Sequence, residues 1–122
     1  MRIWKTLAMV ALVGAMALTA TAAKADNIVW SIQSEHPNIV SLEFYSQDYN
    51  RAWPGGGEVY ILDDWDAKSF NLQCSTGELI CYGAWVRGDS STYWGVGIDD
   101  SQYCSDCCYY CGERTDPITL LP

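Results

Sequence analysis

Residues 68–86 read KSFNLQC-STGE-LICYGAWV, and this stretch decides the fold class. Phe70, Leu72 and Cys74 alternate with polar residues, the period-two spacing of a strand with one buried face. Ser75-Thr76-Gly77-Glu78 is turn chemistry, with Gly77 free to take a positive φ. Leu79 to Val86 then returns as an apolar and aromatic run. The spacing predicts a β-hairpin with Cys74 opposite Leu79 and Cys81 two positions further along the same face. Diagonal neighbours of that kind lie about 7–8 Å apart, at the edge of disulfide reach. Without a bulge, both thiols point to partners elsewhere.

The same alternation recurs upstream and downstream. Asn27 to Ile32 reads as a first strand, which His36-Pro37 interrupts. Asn38 to Tyr45 places Val40, Leu42 and Phe44 on a buried face and Ile39, Ser41, Glu43 and Tyr45 on the other. Gln47 to Gly57 is a loop by composition, ending in Trp53-Pro54-Gly55-Gly56-Gly57. Glu58 to Leu62 is β-branched and aromatic, hence a strand, and Asp63 to Asp66 a turn. Arg87 to Ser90 turns again, and Thr92 to Ile98 is the last long strand. These spacings predict an all-β domain, a small antiparallel sandwich or barrel of five to six strands. A cysteine-rich tail, residues 99–122, is expected to pack over one end.

The first residues read as a leader. Arg2 and Lys5 precede an apolar run from Thr6 to Leu18, and Ala23-Lys24-Ala25 offers small side chains for cleavage. The run is shorter than the roughly 20 residues that cross a bilayer core. Residues 1–25 therefore read as a cleaved signal peptide and 26–122 as a single secreted or periplasmic domain with no membrane span. All 15 acidic residues lie after Ala25, against the basic Arg51, Lys68, Arg87 and Arg114, which leaves a net charge of −11. Such a charge argues against nucleic acid and anionic membrane surfaces as partners. Five Trp, eight Tyr and two Phe in that part argue against disorder.

In an exported chain this short, an even number of cysteines reads as a disulfide framework. The six are Cys74, Cys81, Cys104, Cys107, Cys108 and Cys111, and the last four form one C-x-x-C-C-x-x-C run. The pairing stays open among many, with a strained Cys107–Cys108 bond excluded. At least one bridge from Cys74 or Cys81 to the tail is expected, because little else would hold so polar a terminus. Two other readings compete. A redox dithiol at Cys104/Cys107 or Cys108/Cys111 needs a helix N-terminus or cations to favour the thiolate, and here Asp99, Asp100, Asp106 and Glu113 surround the run. A Cys-cluster metal site usually separates its two knuckles, and oxidising conditions compete for the thiols.

No catalytic constellation is legible. His36 is the single histidine, beside Pro37, and no nucleophile motif accompanies it. Glu43 with Glu58 or Asp63 makes a carboxylate pair of the glycosidase kind, a coincidence to expect among so many acids. Asp63-Asp64-Trp65-Asp66 and Asp99-Asp100 offer oxygens for Ca²⁺ but lack a complete loop motif. Arg87-Gly88-Asp89 is ordinary turn chemistry that happens to spell an adhesion tripeptide. Trp53 and Trp65, in predicted loops, are the candidates for ligand contact, since an exposed ring can stack on a sugar or clamp a peptide. The alternative for Trp53 is a lid over one end of the core.

Leu72 to Cys111 resembles a group of small secreted cysteine-rich bacterial proteins of uncharacterised function. The resemblance rests on Cys-x-x-Gly-Glu-x-Ile-Cys-Tyr-Gly-Ala-Trp (Cys74 to Trp85), Tyr-Trp-Gly-Val-Gly (Tyr93 to Gly97) and the C-x-x-C-C-x-x-C run. It implies export and a bacterial source, and no activity. The sequence thus predicts a non-catalytic, disulfide-rich module, ligand-binding or structural, for an unknown ligand such as a glycan or peptide. No catalytic residue, cofactor or metal is assigned. The alternatives are a thiol–disulfide oxidoreductase or a Cys-cluster metal-binding protein.

Overall fold

Alternation along β1 (Ala25–Ser34) sends Ile28, Trp30, Ile32 and Ser34 inward, all buried, while the residues between them stay partly solvated. In β2 (Val40–Ser46) the inward set is Val40, Leu42 and Phe44, as the spacing predicts. The computed structural model in which these strands are seen describes residues 24–122. Residues 1–23, most of the expected leader, lie outside the described residues.

The strands after β2 are β3 (Ala52–Trp53), β4 (Tyr60–Leu62), β5 (Lys68–Ser75), β6 (Leu79–Val86), β7 (Asp89–Gly95), β8 (Cys108–Tyr110) and β9 (Ile118–Leu120). They build two sheets, so the all-β expectation holds. The first has the order β5-β1-β9. There β1 runs antiparallel to β5, with Ile28 opposite Leu72 and Trp30 opposite Phe70, and parallel to β9. The second is centred on β2 and β6, antiparallel, with Phe44 opposite Tyr82. The outer edge of β2 is shared by β3 and β4, and that of β6 by β7 and β8. Between the sheets the Trp30 ring sits 4.9 Å from Phe44, 5.3 Å from Tyr109 and 6.0 Å from Tyr82. Its indole N–H has no acceptor among the described residues. Among those residues no helix is long and apolar enough to cross a membrane.

Several expectations need correction. Residues 75–78 do not close a hairpin within one sheet. β5 pairs with β1, and β6 with β2, so Cys74 and Leu79 are not ladder partners. The turn is instead a corner between sheets, and Leu72 and Cys74 meet Ile80 and Tyr82 in the core between them. The reason is burial: β6 is covered on both faces, which only a central strand can be. The strand expected at Thr92 to Ile98 begins at Asp89 and stops at Gly95, where two positive-φ glycines, Gly95 and Gly97, bend the chain. The tail does more than cap one end, since β8 joins the second sheet and β9 the first. The loop at 47–57 contains β3, and the strand expected from Glu58 begins at Tyr60.

The bridges are Cys74–Cys111, Cys81–Cys108 and Cys104–Cys107, with no free cysteine. The expected link from the Cys74/Cys81 region to the tail is therefore made twice. Cys81 and Cys108 are direct ladder partners of β6 and β8. Sequence separations of 37, 27 and 3 residues correspond in the chain-entropy picture to about 4, 3.5 and 2 kcal/mol.

Candidate functional site

The outer face of the second sheet mixes polar, small and aromatic residues. On β2 it carries Ser41, Glu43 and Tyr45, and on β6 it carries Cys81, Gly83 and Trp85, the residues facing them in register. Gly83 lets the chain after β7 cross this face closely, since a Cβ there would lie 2.1 Å from the Gly97 carbonyl oxygen. Gly95 permits the same approach: a Cβ would sit 2.2 Å from the Tyr82 oxygen, and its φ is 63°.

The crossing chain then makes a short 3₁₀ turn at Ile98–Asp100. Asp99 and Asp100 both adopt left-handed φ, 55° and 54°, at a cost of about 1–2 kcal/mol each for a residue with a Cβ. Two contacts hold them there. The Asp99 N–H donates to the Tyr45 hydroxyl (2.9 Å), and Gln47 Nε2 donates to Asp100 Oδ2 (3.0 Å). The Tyr45 hydroxyl in turn donates to the Gly97 carbonyl at 3.4 Å.

Asp99 and Asp100 form one wall of a groove of about 640 Å³. Its floor holds Glu43 and Tyr45, and the remaining walls are the turn from Ser46 to Ala52 and the loop Gly55–Gly57. The Ser46 hydroxyl shapes the turn by accepting the N–H groups of Asp48 (3.2 Å) and Tyr49 (2.9 Å). Arg51, at the rim, pairs through two nitrogens with Glu78, whose side chain is fully buried. Its guanidinium also lies 4.8 Å from the Trp53 ring centre, a cation–π distance.

The charges divide into two sets. Burial alone would raise the Glu78 carboxyl, but the bonds from Arg51, Ser46 and the Ser75 N–H outweigh it and hold it below the usual value. Arg51 is correspondingly raised by its bond to Glu78. Its charge is spent on that pair. Glu43 is different: burial first, then the Asp99 charge, pushes it up. The Tyr45 hydroxyl is also pushed up, by burial and then by Glu43, and stays a neutral donor. The groove therefore offers three carboxylates, at Glu43, Asp99 and Asp100, and the phenols of Tyr45 and Tyr49.

The residues singled out from the sequence fall in several places. Trp53 is half-buried in β3, packed against the core, and its indole N–H donates to the Gln73 carbonyl at 3.0 Å. Trp65 is 60% exposed and borders a small cleft with His36, Asn38 and Asp63. The two rings thus do not line one groove. His36 stacks edge-on to Trp94 at 5.5 Å, and its Nδ1 accepts the Asn38 N–H. Glu43 neighbours Asp99, whereas Asp63 sits in the His36 cleft. Asp64 pairs with Lys68, and Asp89 of the Arg87-Gly88-Asp89 turn is engaged by Ser91 and Thr92. Sequence reasoning missed the convergence of Glu43, Tyr45 and Tyr49 with Asp99 and Asp100. The one available signal was the Gly95-Val96-Gly97 spacing before two aspartates, which marks a tight crossing.

No family model, curated protein or solved structure matches the chain.

Proposed function

We propose that the protein is an exported, non-catalytic binding module whose groove between Glu43 and Asp99–Asp100 takes a basic peptide segment. The groove carries the reading: three carboxylates and two phenols line it, while its one cation is already paired with Glu78. Acceptor-rich walls of one sign favour a ligand of the opposite sign and speed its arrival. Two left-handed aspartates held by Tyr45 and Gln47 add a preorganised wall. Export is supported by three closed bridges, which persist in oxidising compartments. Trp53 supports the groove indirectly by packing under Arg51. Trp65 borders the separate His36 cleft and is a candidate contact outside the groove.

Calorimetric titration with Lys- and Arg-containing peptides, alongside a glycan panel, tests the reading. Peptide binding that weakens with salt and is lost in Asp99→Asn/Asp100→Asn at unchanged fold is the expected result. Binding only to uncharged glycans, or peptide binding indifferent to those substitutions, overturns it. Trp53→Ala should weaken binding and lower the melting temperature together, and Trp65→Ala should affect binding alone. The oxidoreductase reading rests on the self-closed Cys104–Cys107 bridge, and insulin reduction lost in Cys104→Ser at unchanged fold would favour it.

A further inference from the structure

The three bridges differ in what they hold. Cys74–Cys111 and Cys81–Cys108 stitch the tail to the two sheets, and Cys74, Cys111 and Cys81 are each no more than 5% exposed. Cys104–Cys107 spans only 3 residues and joins no element to another. Cys107 is buried and Cys104 is partly open to solvent.

Beside this bridge stands Asp106. Its Oδ1 lies 3.4 Å from Cys104 Sγ and 3.7 Å from Cys107 Sγ. A sulfur in a disulfide carries no proton, so neither contact is a hydrogen bond. The carboxylate faces two sulfurs that give it nothing. Yet these separations have a chemical meaning. In a tetrahedral zinc site with ligands about 2.0–2.3 Å from the metal, ligand atoms stand roughly 3.3–3.8 Å from one another. The two sulfur–oxygen edges are already of that length. Only the sulfur–sulfur edge is closed, by the bond itself.

The geometry points to a reduction-gated metal site: once an external dithiol opens Cys104–Cys107, the two thiolates and the Asp106 carboxylate form a three-ligand site for a cation of the zinc class. The balance is simple. Thiol–disulfide exchange breaks the Cys104–Cys107 bond, the dithiol closes to its own disulfide, and two protons end on the freed sulfurs. The cation then displaces those protons as it binds. A bound dication becomes the largest local charge in the site and offsets the repulsion among its three anionic ligands. Cys107 stays anchored after opening, since its carbonyl accepts the Tyr82 N–H at 3.1 Å and its neighbour Cys108 remains bridged to Cys81. Cys104 supplies the movement. Thiolate ligands select soft or borderline cations over Ca²⁺ and Mg²⁺.

The test uses the full exported chain. Graded anaerobic reduction with a phosphine, followed by alkylation and peptide mass mapping, should label Cys104 and Cys107 first and leave the other two bridges closed. In a parallel unalkylated sample freed of the reductant, native mass spectrometry and titration with Zn²⁺ should show one ion per dithiol chain and none on the oxidised chain. Asp106→Asn should weaken binding at least roughly tenfold, the lower end of what even an outer-shell partner costs. Cys104→Ser/Cys107→Ser, checked for fold by circular dichroism, should bind none. Another bridge opening first, no zinc on the mapped dithiol, or equal affinity in Asp106→Asn each overturns the proposal.

Discussion

The two faces of β6 are held by different physics. Inward, Ile80, Tyr82 and Ala84 join a core with Trp30 and Phe44, and apolar burial holds them in place. Outward, Cys81 and Gly83 face a crossing chain. There a covalent bond to Cys108 and the missing Cβ of Gly83 take the place of a thick apolar layer. The second cluster, Tyr45, Cys81 and Val96, is small. A face fastened by a bridge and a close backbone approach has room for charge. The acidic groove lies on that side, fed by Glu43 and the strained Asp99–Asp100 pair.

The contrast can be broken first from the inside. Trp30→Ala removes the largest fully buried ring and should cost about 3–5 kcal/mol in urea unfolding. Trp30→Phe should cost much less, because the indole N–H it removes has no partner among the described residues. Equal losses would mean that the ring's polar edge matters after all. On the outer face, Cys81→Ala/Cys108→Ala should cost about 3–4 kcal/mol, seen as a lower urea midpoint. A loss under half of that would show that the crossing chain holds without its bridge.

Gly83→Ala sharpens the comparison at one atom. The added methyl would meet the Gly97 oxygen at 2.1 Å and the Tyr45 ring at 2.9 Å. Overpacking of this kind costs about 1–3 kcal/mol. Because Tyr45 and Gly97 hold the acidic wall, ligand binding should fall with stability in this variant. The same substitution leaving both unchanged would mean that the outer layer is loose. Glu43→Gln should have the smallest effect and the opposite sign. A carboxyl raised in the folded state disfavours folding when it is ionised. Its replacement should raise the melting temperature slightly at neutral pH. The gain should fade as pH drops through the carboxyl range, where Glu43 is protonated in both states. A stability gain that persists in acid would point to packing rather than charge.

Much of the inner face was legible in the residues. Val40, Leu42 and Phe44, and then Phe70, Leu72 and Cys74, alternate with a period that depends on backbone geometry alone. The outer face was less legible. Tyr45 stands in the polar set of β2 yet is buried, because a distant segment lies across it. Trp53 shows the same limit: its loop composition says nothing of the Gln73 carbonyl or of Arg51, which give its ring a structural place.

The sequence by itself determined the strand content, the commitment of the cysteines to bridges and the excess of acid. Period two, cysteine number and charge are properties of the chain that survive any choice of partners. The tertiary structure alone decided that residues 75–78 turn between sheets, that Cys74 takes Cys111 and Cys81 takes Cys108, and that Asp99 comes to rest beside Glu43. Pairing is a contest among segments far apart in the chain. A strand such as β6, apolar on both faces, gives no local sign of which neighbours will cover it.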